Sequence, residues 1–203
     1  MTNRLAAVIV LILASPILLV ISLLILVTMG WPVLFTQARS GLRGCTFRIV
    51  KFRTMRAPRT PTESDDARIT RIGRLLRRTS LDELPSLWNI LKGDMVFVGP
   101  RPLLPHYAQY YDERQARRLE VKPGVTGWCQ VRGRNALTWE QKFELDAWYV
   151  EHRRARLDLR ILALTVSAVL RGTGITHPGH STMPAFRMMP GKGGAEQEPH
   201  ALE

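Results

Sequence analysis

The chain has 203 residues, a length that suits one domain with additional segments. Its 29 Lys and Arg residues outnumber its 17 Asp and Glu residues, and the net charge of +12 is typical of proteins that bind nucleic acid, a membrane surface or phosphorylated substrates. The two cysteines, Cys45 and Cys129, belong to no CxxC or Cys/His cluster, which excludes a disulfide scaffold and argues against a zinc site.

An uncharged segment occupies residues 5–38, and its core at residues 5–29 is mostly Leu, Ile, Val and Ala. This length and composition predict a membrane segment. A cleaved signal peptide would have a shorter apolar stretch that ends at a small-residue cleavage site, a pattern that this sequence lacks. Arginine flanks the segment on both sides, with Arg4 before it and a denser cluster from Arg39 onward.

The dipeptide Ser15-Pro16 lies near the middle of the apolar run. Proline removes one helical hydrogen bond, and serine can bond to the carbonyl groups that are left without a donor. The arms on either side, residues 5–14 and 17–29, are each too short to cross about 30 Å of hydrocarbon. A re-entrant helix-break-helix and a kinked ordinary span both fit this local pattern, and the residues alone leave the choice open.

The part that follows is predicted to be a mixed α/β domain with short strands. Residues 32–37 and 46–52 are rich in β-branched and aromatic side chains, and Gly41 and Gly44 lie between them, which predicts a β-hairpin. Residues 57–66 indicate an exposed loop. From Ala67 onward, arginine and aliphatic residues alternate at helical spacing, which predicts an amphipathic helix that either lies on an anionic membrane surface or covers an ordinary core.

Ser80 and Glu83 have the spacing of a capping box, which predicts a helix through residues 84–92. Beyond it we predict strands at 95–98 and 125–132 and helices at 107–121, 138–152 and 158–171, the last being either core or interfacial. The tail at 178–203 has no apolar periodicity, and we expect it to be disordered.

Two adjacent carboxylates, Asp82 and Glu83, follow Arg77 and Arg78 at this expected helix start. A carboxylate can attack phosphorus as a nucleophile, and a divalent ion held by one or two carboxylates can neutralise phosphate charge. Ordinary helix capping explains the same pair equally simply. Arg101 lies between two prolines and could clamp a phosphate or pair with an acid, and the same alternatives apply to Arg134 and Asp146.

A series of short sequence motifs points to one protein family. In order along the chain they are LFTQ at 34–37, KFRTM at 51–55, TSLDELP at 79–85, LWN at 87–89, KGDM at 92–95, VGPRP at 98–102, KPGVTGW at 122–128, FELD at 143–146 and WYV at 148–150. The sequence resembles the bacterial sugar transferase family of small monotopic phosphoglycosyl transferases, and the resemblance extends over residues 7–170.

The resemblance implies a re-entrant membrane helix at residues 1–31 that is broken at Ser15-Pro16, and a catalytic domain at 32–177 on the cytoplasmic face of the bacterial inner membrane. It implies that Asp82 attacks the β-phosphorus of a UDP-sugar, releases UMP and forms an aspartyl-phosphosugar. Polyprenol phosphate, usually undecaprenyl phosphate, would then take the sugar phosphate in the first membrane step of glycoconjugate biosynthesis.

The same resemblance implies further residues and partners. Asp82 and Glu83 would hold Mg²⁺, or Glu83 would activate the acceptor, and the substrate would be bound by Lys51, Arg77, Arg101, Arg134 and Asp146. Membrane lipids and downstream glycosyltransferases would be further partners, and nucleic acid would not. The competing hypothesis is a membrane-tethered basic protein that binds anionic lipid or nucleic acid without catalysis, although no interleaved aromatics or nucleic-acid motif supports it.

Overall fold

The computed structural model describes residues 2–133 and 136–171 together with Phe186. Arg134 lies outside the described residues, and so does the tail at 178–203 apart from Phe186.

The first element is a single helix, α1 (Thr2–Met29), which is long and apolar enough to cross a membrane. The expected division into two helices is wrong, because Pro16 lies inside a continuous helix. Proline has no N–H with which to reach the carbonyl of Ile12, and the hydroxyl of Ser15 donates to that carbonyl instead, at 2.7 Å. The re-entrant topology stays a prediction.

Both ends of α1 contact the rest of the molecule. Near the start, Arg4 donates to the carbonyl oxygen of Lys92 at 3.0 Å. At the other end, Arg53 donates to the carbonyl oxygens of Met29 and Gly30. Between these points, side chains of α1 enter two apolar clusters of the domain, with Ala7 in one and Ile21 and Ile25 in the other.

The predicted hairpin is confirmed. Strand β1 (Leu34–Ser40) pairs antiparallel with β2 (Thr46–Phe52), in a register that sets Phe35 opposite Lys51 and Gln37 opposite Ile49. Gly44 adopts φ 76° in the connection, a conformation that favours glycine. Because side chains alternate along a strand, the odd-numbered residues of both strands share one face.

Short helices form most of the remaining domain. The α-helices are α2 (Asp65–Arg68), α3 (Arg71–Thr79), α4 (Leu87–Lys92), α5 (Glu113–Ala116), α6 (Trp128–Arg132), α7 (Trp139–His152) and α8 (Ala155–Arg171). Short 3-10 helices occupy Leu42–Gly44, Leu81–Ser86, Pro105–Tyr110 and Arg117–Glu120, and β3 (Val96–Val98) pairs parallel with β4 (Gly124–Thr126). The helix predicted at 138–152 is confirmed as α7, which begins after a capping box formed by Thr138 and Gln141 and ends at His152.

Several local predictions differ from the structure, among them the helix expected from Ala67 onward, which is divided into α2 and α3. Ser80 does not cap a following helix but ends α3 in a left-handed conformation with φ 56°. The strand expected at 125–132 stops at Thr126, and α6 follows it after Gly127. The continuous helix expected at 107–121 is three short helical turns, so the chain bends repeatedly there.

Candidate active site

The two adjacent carboxylates follow a sharp turn of the chain. The left-handed Ser80 ends α3, and its N–H donates to the carbonyl oxygen of Arg77 at 3.2 Å. The chain then enters the 3-10 helix Leu81–Ser86, which packs against β2. This turn directs the carboxylate of Glu83 toward Lys51 on that strand.

Glu83 is held by two cations. Its Oε1 accepts hydrogen bonds from Lys51 Nζ at 2.6 Å and from Arg101 Nη2 at 2.7 Å. Burial alone would raise the pKa of Glu83, but Arg101 and Lys51 hold that pKa well below its usual range. Glu83 also raises the pKa of Arg101. The glutamate is therefore a fixed anion that orients both cations at neutral pH.

Asp82 lies in a different environment. Burial and the negative charge of Glu83 raise its pKa to about 6, while Lys51, Arg101 and Arg77 oppose the shift. In the part of the chain that the structure describes, its carboxylate has no hydrogen bond or ion pair. At neutral pH the carboxylate of Asp82 is therefore mostly ionised, and no hydrogen bond or ion pair from the described residues blocks its oxygens. A carboxylate nucleophile needs both properties.

A cavity with a volume of about 1460 Å³ surrounds the pair. Six of the sequence-predicted site residues line it, namely Lys51, Arg77, Asp82, Glu83, Arg101 and Asp146. The seventh, Arg134, lies outside the described residues. Arg77 is fixed in the wall by a bond from its Nε to Thr54 Oγ1 at 3.0 Å. The cavity is thus positively charged around its two adjacent carboxylates, and this charge suits a diphosphate.

Asp146 lies in the wall as an ion pair with Arg118, a residue that sequence reasoning missed. The two side chains are 5% exposed or less, and Arg118 Nη2 lies 2.9 Å from Asp146 Oδ2. Burial raises the pKa of Asp146 to about 6, and Arg118 opposes that shift. Arg118 also donates to the carbonyl oxygen of Arg101 at 2.6 Å. The pair therefore supports the backbone of the turn that carries Arg101.

Further side chains of the cavity were also missed. Arg39 of β1, Cys129 of α6 and Lys142 of α7 line it. The odd–even alternation of β1 could have indicated Arg39, since it lies on the same face as Gln37 of the LFTQ motif. No comparable signal in the sequence indicates Arg118.

An aromatic cluster completes one wall of the cavity. The N–H of Phe186 donates to Tyr107 Oη at 3.2 Å. The Phe186 ring packs against Phe143 and Trp139 with centroid distances of 5.1 and 5.5 Å. Phe186 therefore lies against the aromatic wall of the candidate active site.

The carboxylates of Asp82 and Glu83 are side chains of the cavity that suit a magnesium ion. Among the described residues there is no group of three or more His, Cys, Asp or Glu side chains that could hold a metal ion by themselves. Mg²⁺ commonly binds one or two carboxylates together with substrate phosphates. Asp82 and Glu83 fit this mode, in which the ion arrives with a phosphorylated substrate.

Comparison with known proteins gives one family. The family model described as bacterial sugar transferase matches residues 1–172. The uncharacterized sugar transferase EpsL of Bacillus subtilis is 54% identical over 77% of this chain and 79% of its own length.

Longer relatives carry more specific names. The UDP-glucose:undecaprenyl-phosphate glucose-1-phosphate transferase of Escherichia coli is 39% identical over 79% of this chain and 37% of its own length. The undecaprenyl-phosphate galactose phosphotransferase of Salmonella typhimurium is 39% identical over 83% of this chain and 39% of its own length. The chain therefore spans about two fifths of each of these longer relatives.

Proposed function

The chain belongs to the bacterial sugar transferase family, and we propose that it transfers a sugar-1-phosphate from a UDP-sugar to polyprenol phosphate and releases UMP. The names of the Escherichia coli and Salmonella relatives support this substrate class. One observation carries the proposal. In a positively charged cavity, the ionised carboxylate of Asp82 has no hydrogen bond or ion pair among the described residues, whereas the neighbouring Glu83 is bound by Lys51 and Arg101.

In the first step, a carboxylate oxygen of Asp82 attacks the β-phosphorus of the UDP-sugar. A bond forms between that oxygen and phosphorus, and the bond from the β-phosphorus to the bridging oxygen breaks. UMP leaves with the electron pair of the broken bond, and an aspartyl-phosphosugar remains. Lys51, Arg77 and Arg101 lie where they can stabilise the phosphate charge that develops on UMP.

In the second step, a phosphate oxygen of polyprenol phosphate attacks the phosphorus of the intermediate. The bond between Asp82 and phosphorus breaks, and the carboxylate is regenerated. Glu83 is a weak base, since two cations hold its pKa low. Its proposed role is therefore to position Lys51 and Arg101 and, with Asp82, to hold Mg²⁺ against the substrate phosphates, where the ion would neutralise negative charge.

The contacts of α1 support a re-entrant, monotopic topology. If α1 were a straight helix that crossed the membrane, its N-terminus would lie about 30 Å from the domain that follows its C-terminal end. Arg4 instead contacts Lys92, while Arg53 contacts the C-terminal end of the same helix. We place the domain on the cytoplasmic face of the inner membrane, where the UDP-sugar is available and the arginine-rich flank is retained. There the product would pass to downstream glycosyltransferases in glycoconjugate biosynthesis.

The proposal is tested by incubating purified protein in lipid nanodiscs with a panel of UDP-sugars, Mg²⁺ and undecaprenyl phosphate. We expect UMP release and a lipid-linked sugar diphosphate with at least one sugar. Lipid or nucleic-acid binding without UMP release from any UDP-sugar would favour the non-catalytic alternative and overturn the proposal.

A further inference from the structure

The hairpin brings a cation to the active-site cavity that the mechanism above does not use. Arg39 lies on the face of β1 that also carries Gln37, and Lys51 lies on the same face of β2. All three side chains line the cavity around Asp82 and Glu83. A narrower recess of the same region is lined by Arg39, Lys51, Glu83 and Arg101 together.

Arg39 differs from its neighbours in what it is bonded to. Lys51 and Arg101 share the carboxylate of Glu83, and Arg118 is paired with Asp146. The guanidinium of Arg39 donates instead to a neutral amide oxygen, Oε1 of Gln37, at 2.6 Å. Within the described residues, no carboxylate oxygen lies within 4 Å of it.

The positive charge of Arg39 is therefore not balanced by a nearby carboxylate among the described residues. Burial lowers the pKa of Arg39 to about 10, and the positive charge of Arg101 adds to that shift. A partly buried cation that faces a second cation gains from an anion placed between them, because the anion offsets both the lost hydration and the repulsion. The hydrogen bond to Gln37 occupies one Nη atom of the guanidinium and leaves other N–H groups available.

We propose that Arg39 is a substrate-binding residue that holds a phosphate group in the cavity, next to the cations fixed by Glu83. The planar guanidinium suits two parallel bonds to phosphate oxygens. This inference rests on the proposed function, which brings two phosphate sources to the cavity in turn. They are the diphosphate of the UDP-sugar and the monophosphate of polyprenol phosphate.

The test uses three variants in full-length protein in nanodiscs. Arg39→Gln removes the charge, and Arg39→Lys keeps the charge but removes the planar fork. The matched control is Arg48→Gln, since Arg48 is an exposed arginine of the same hairpin on the opposite face. Thermal unfolding of each variant first establishes that the hairpin is intact.

The two half-reactions are then measured separately. UMP release with UDP-sugar alone reports the donor step, and discharge of preformed intermediate by undecaprenyl phosphate reports the acceptor step. We expect Arg39→Gln to slow one of these steps about tenfold or more, with a smaller loss in Arg39→Lys and wild-type rates in Arg48→Gln. The affected step identifies the phosphate that Arg39 holds.

A binding measurement keeps this proposal separate from the proposed function. Calorimetric titration with UDP and with inorganic phosphate requires no turnover, and we expect Arg39→Gln to weaken at least one of the two by about tenfold. Wild-type rates in both half-reactions and wild-type binding of both probes in Arg39→Gln would overturn the inference. Equal losses in both steps that accompany a lowered unfolding temperature would also overturn it, by assigning Arg39 to the fold.

Discussion

Asp82 and Glu83 are neighbours in the chain, but their carboxylates experience opposite electrostatic environments. Burial and the charge of Glu83 raise the pKa of Asp82 to about 6, whereas Lys51 and Arg101 hold that of Glu83 far below its usual range. Asp82 is the proposed nucleophile, and Glu83 is a permanent anion that holds Lys51 and Arg101. Such a divergence within one pair assigns different roles to two chemically similar side chains.

Replacement of the proposed nucleophile, Asp82, gives the first prediction. Asp82→Asn should abolish UMP release and the trapping of a phosphosugar on the protein, because the isosteric amide cannot attack phosphorus. Release is measured by coupled detection of UMP, and trapping by intact-protein mass spectrometry. Glu113→Gln, a charge-removing change at an exposed residue of α5, serves as the control. UMP release at the wild-type rate in Asp82→Asn would show that the covalent mechanism is wrong.

The pH dependence of the first step follows from the pKa of Asp82. The ionised carboxylate is the reactive form, so the rate should fall as the pH drops through about 6, by about tenfold per pH unit below that value. Glu83→Gln removes a negative charge that raises this pKa, so the acid limb of its residual activity should move to lower pH. A burst of UMP measured from pH 5 to 8 gives both profiles. A rate that stays constant down to pH 5 in the wild-type protein would contradict this assignment.

Arg101 tests the importance of guanidinium geometry. Arg101→Lys keeps the charge but loses the planar fork, and we expect a loss of activity on the order of 1–3 kcal/mol in transition-state stabilisation. The fold should persist, because Arg118 holds the carbonyl oxygen of residue 101 and not its side chain. Steady-state kinetics and thermal unfolding separate the two effects. Near-normal kinetics would assign Arg101 to a structural role.

The buried pair of Arg118 and Asp146 gives a prediction about stability. Arg118→Ala leaves a buried carboxylate without its cation, and we expect a loss of about 3–5 kcal/mol in unfolding free energy. The double variant Arg118→Met with Asp146→Leu should lose less, because neither charge is then left unpaired. Denaturant titrations in detergent measure both. A double variant that loses as much unfolding free energy as Arg118→Ala, or more, would contradict this prediction.

The topology of α1 is tested by cysteine labelling. Thr2→Cys should resist an impermeant thiol reagent on intact spheroplasts, and it should become labelled when Pro16→Leu restores the interrupted helical bond and favours a true span. Cys45 is exposed and must be replaced, whereas Cys129 is buried and can stay. Strong labelling of Thr2→Cys without the Pro16 change would reject the re-entrant topology.

The sequence predicts the features that depend on local pattern. The hairpin follows from strand composition and intervening glycines, α7 from the helical segment that begins at Thr138, and the grouping of Asp82 with its cations from motif resemblance. The left-handed turn at Ser80 was missed because the Ser80–Glu83 spacing matches a capping box, while packing against β2 imposes a different backbone. Arg118 could not be assigned from local pattern, since its partner Asp146 lies on a different helix and the two meet only when separate elements pack together.

The packing of α1 also determines whether this helix can be exchanged without disturbing the rest of the domain. Ala7 lies in an apolar cluster with Leu87 and Ile90 of α4, and Ile21 and Ile25 share a cluster with Phe52 of β2. This helix therefore contributes side chains to the same interior that supports α4 and β2 beside the candidate active site. Exchanging α1 for an unrelated transmembrane helix would keep the protein at the membrane, but it would leave packing cavities beneath the hairpin and α4. We therefore expect membrane attachment and the proposed activity to depend on the same helix, so that α1 cannot be exchanged without affecting the candidate site.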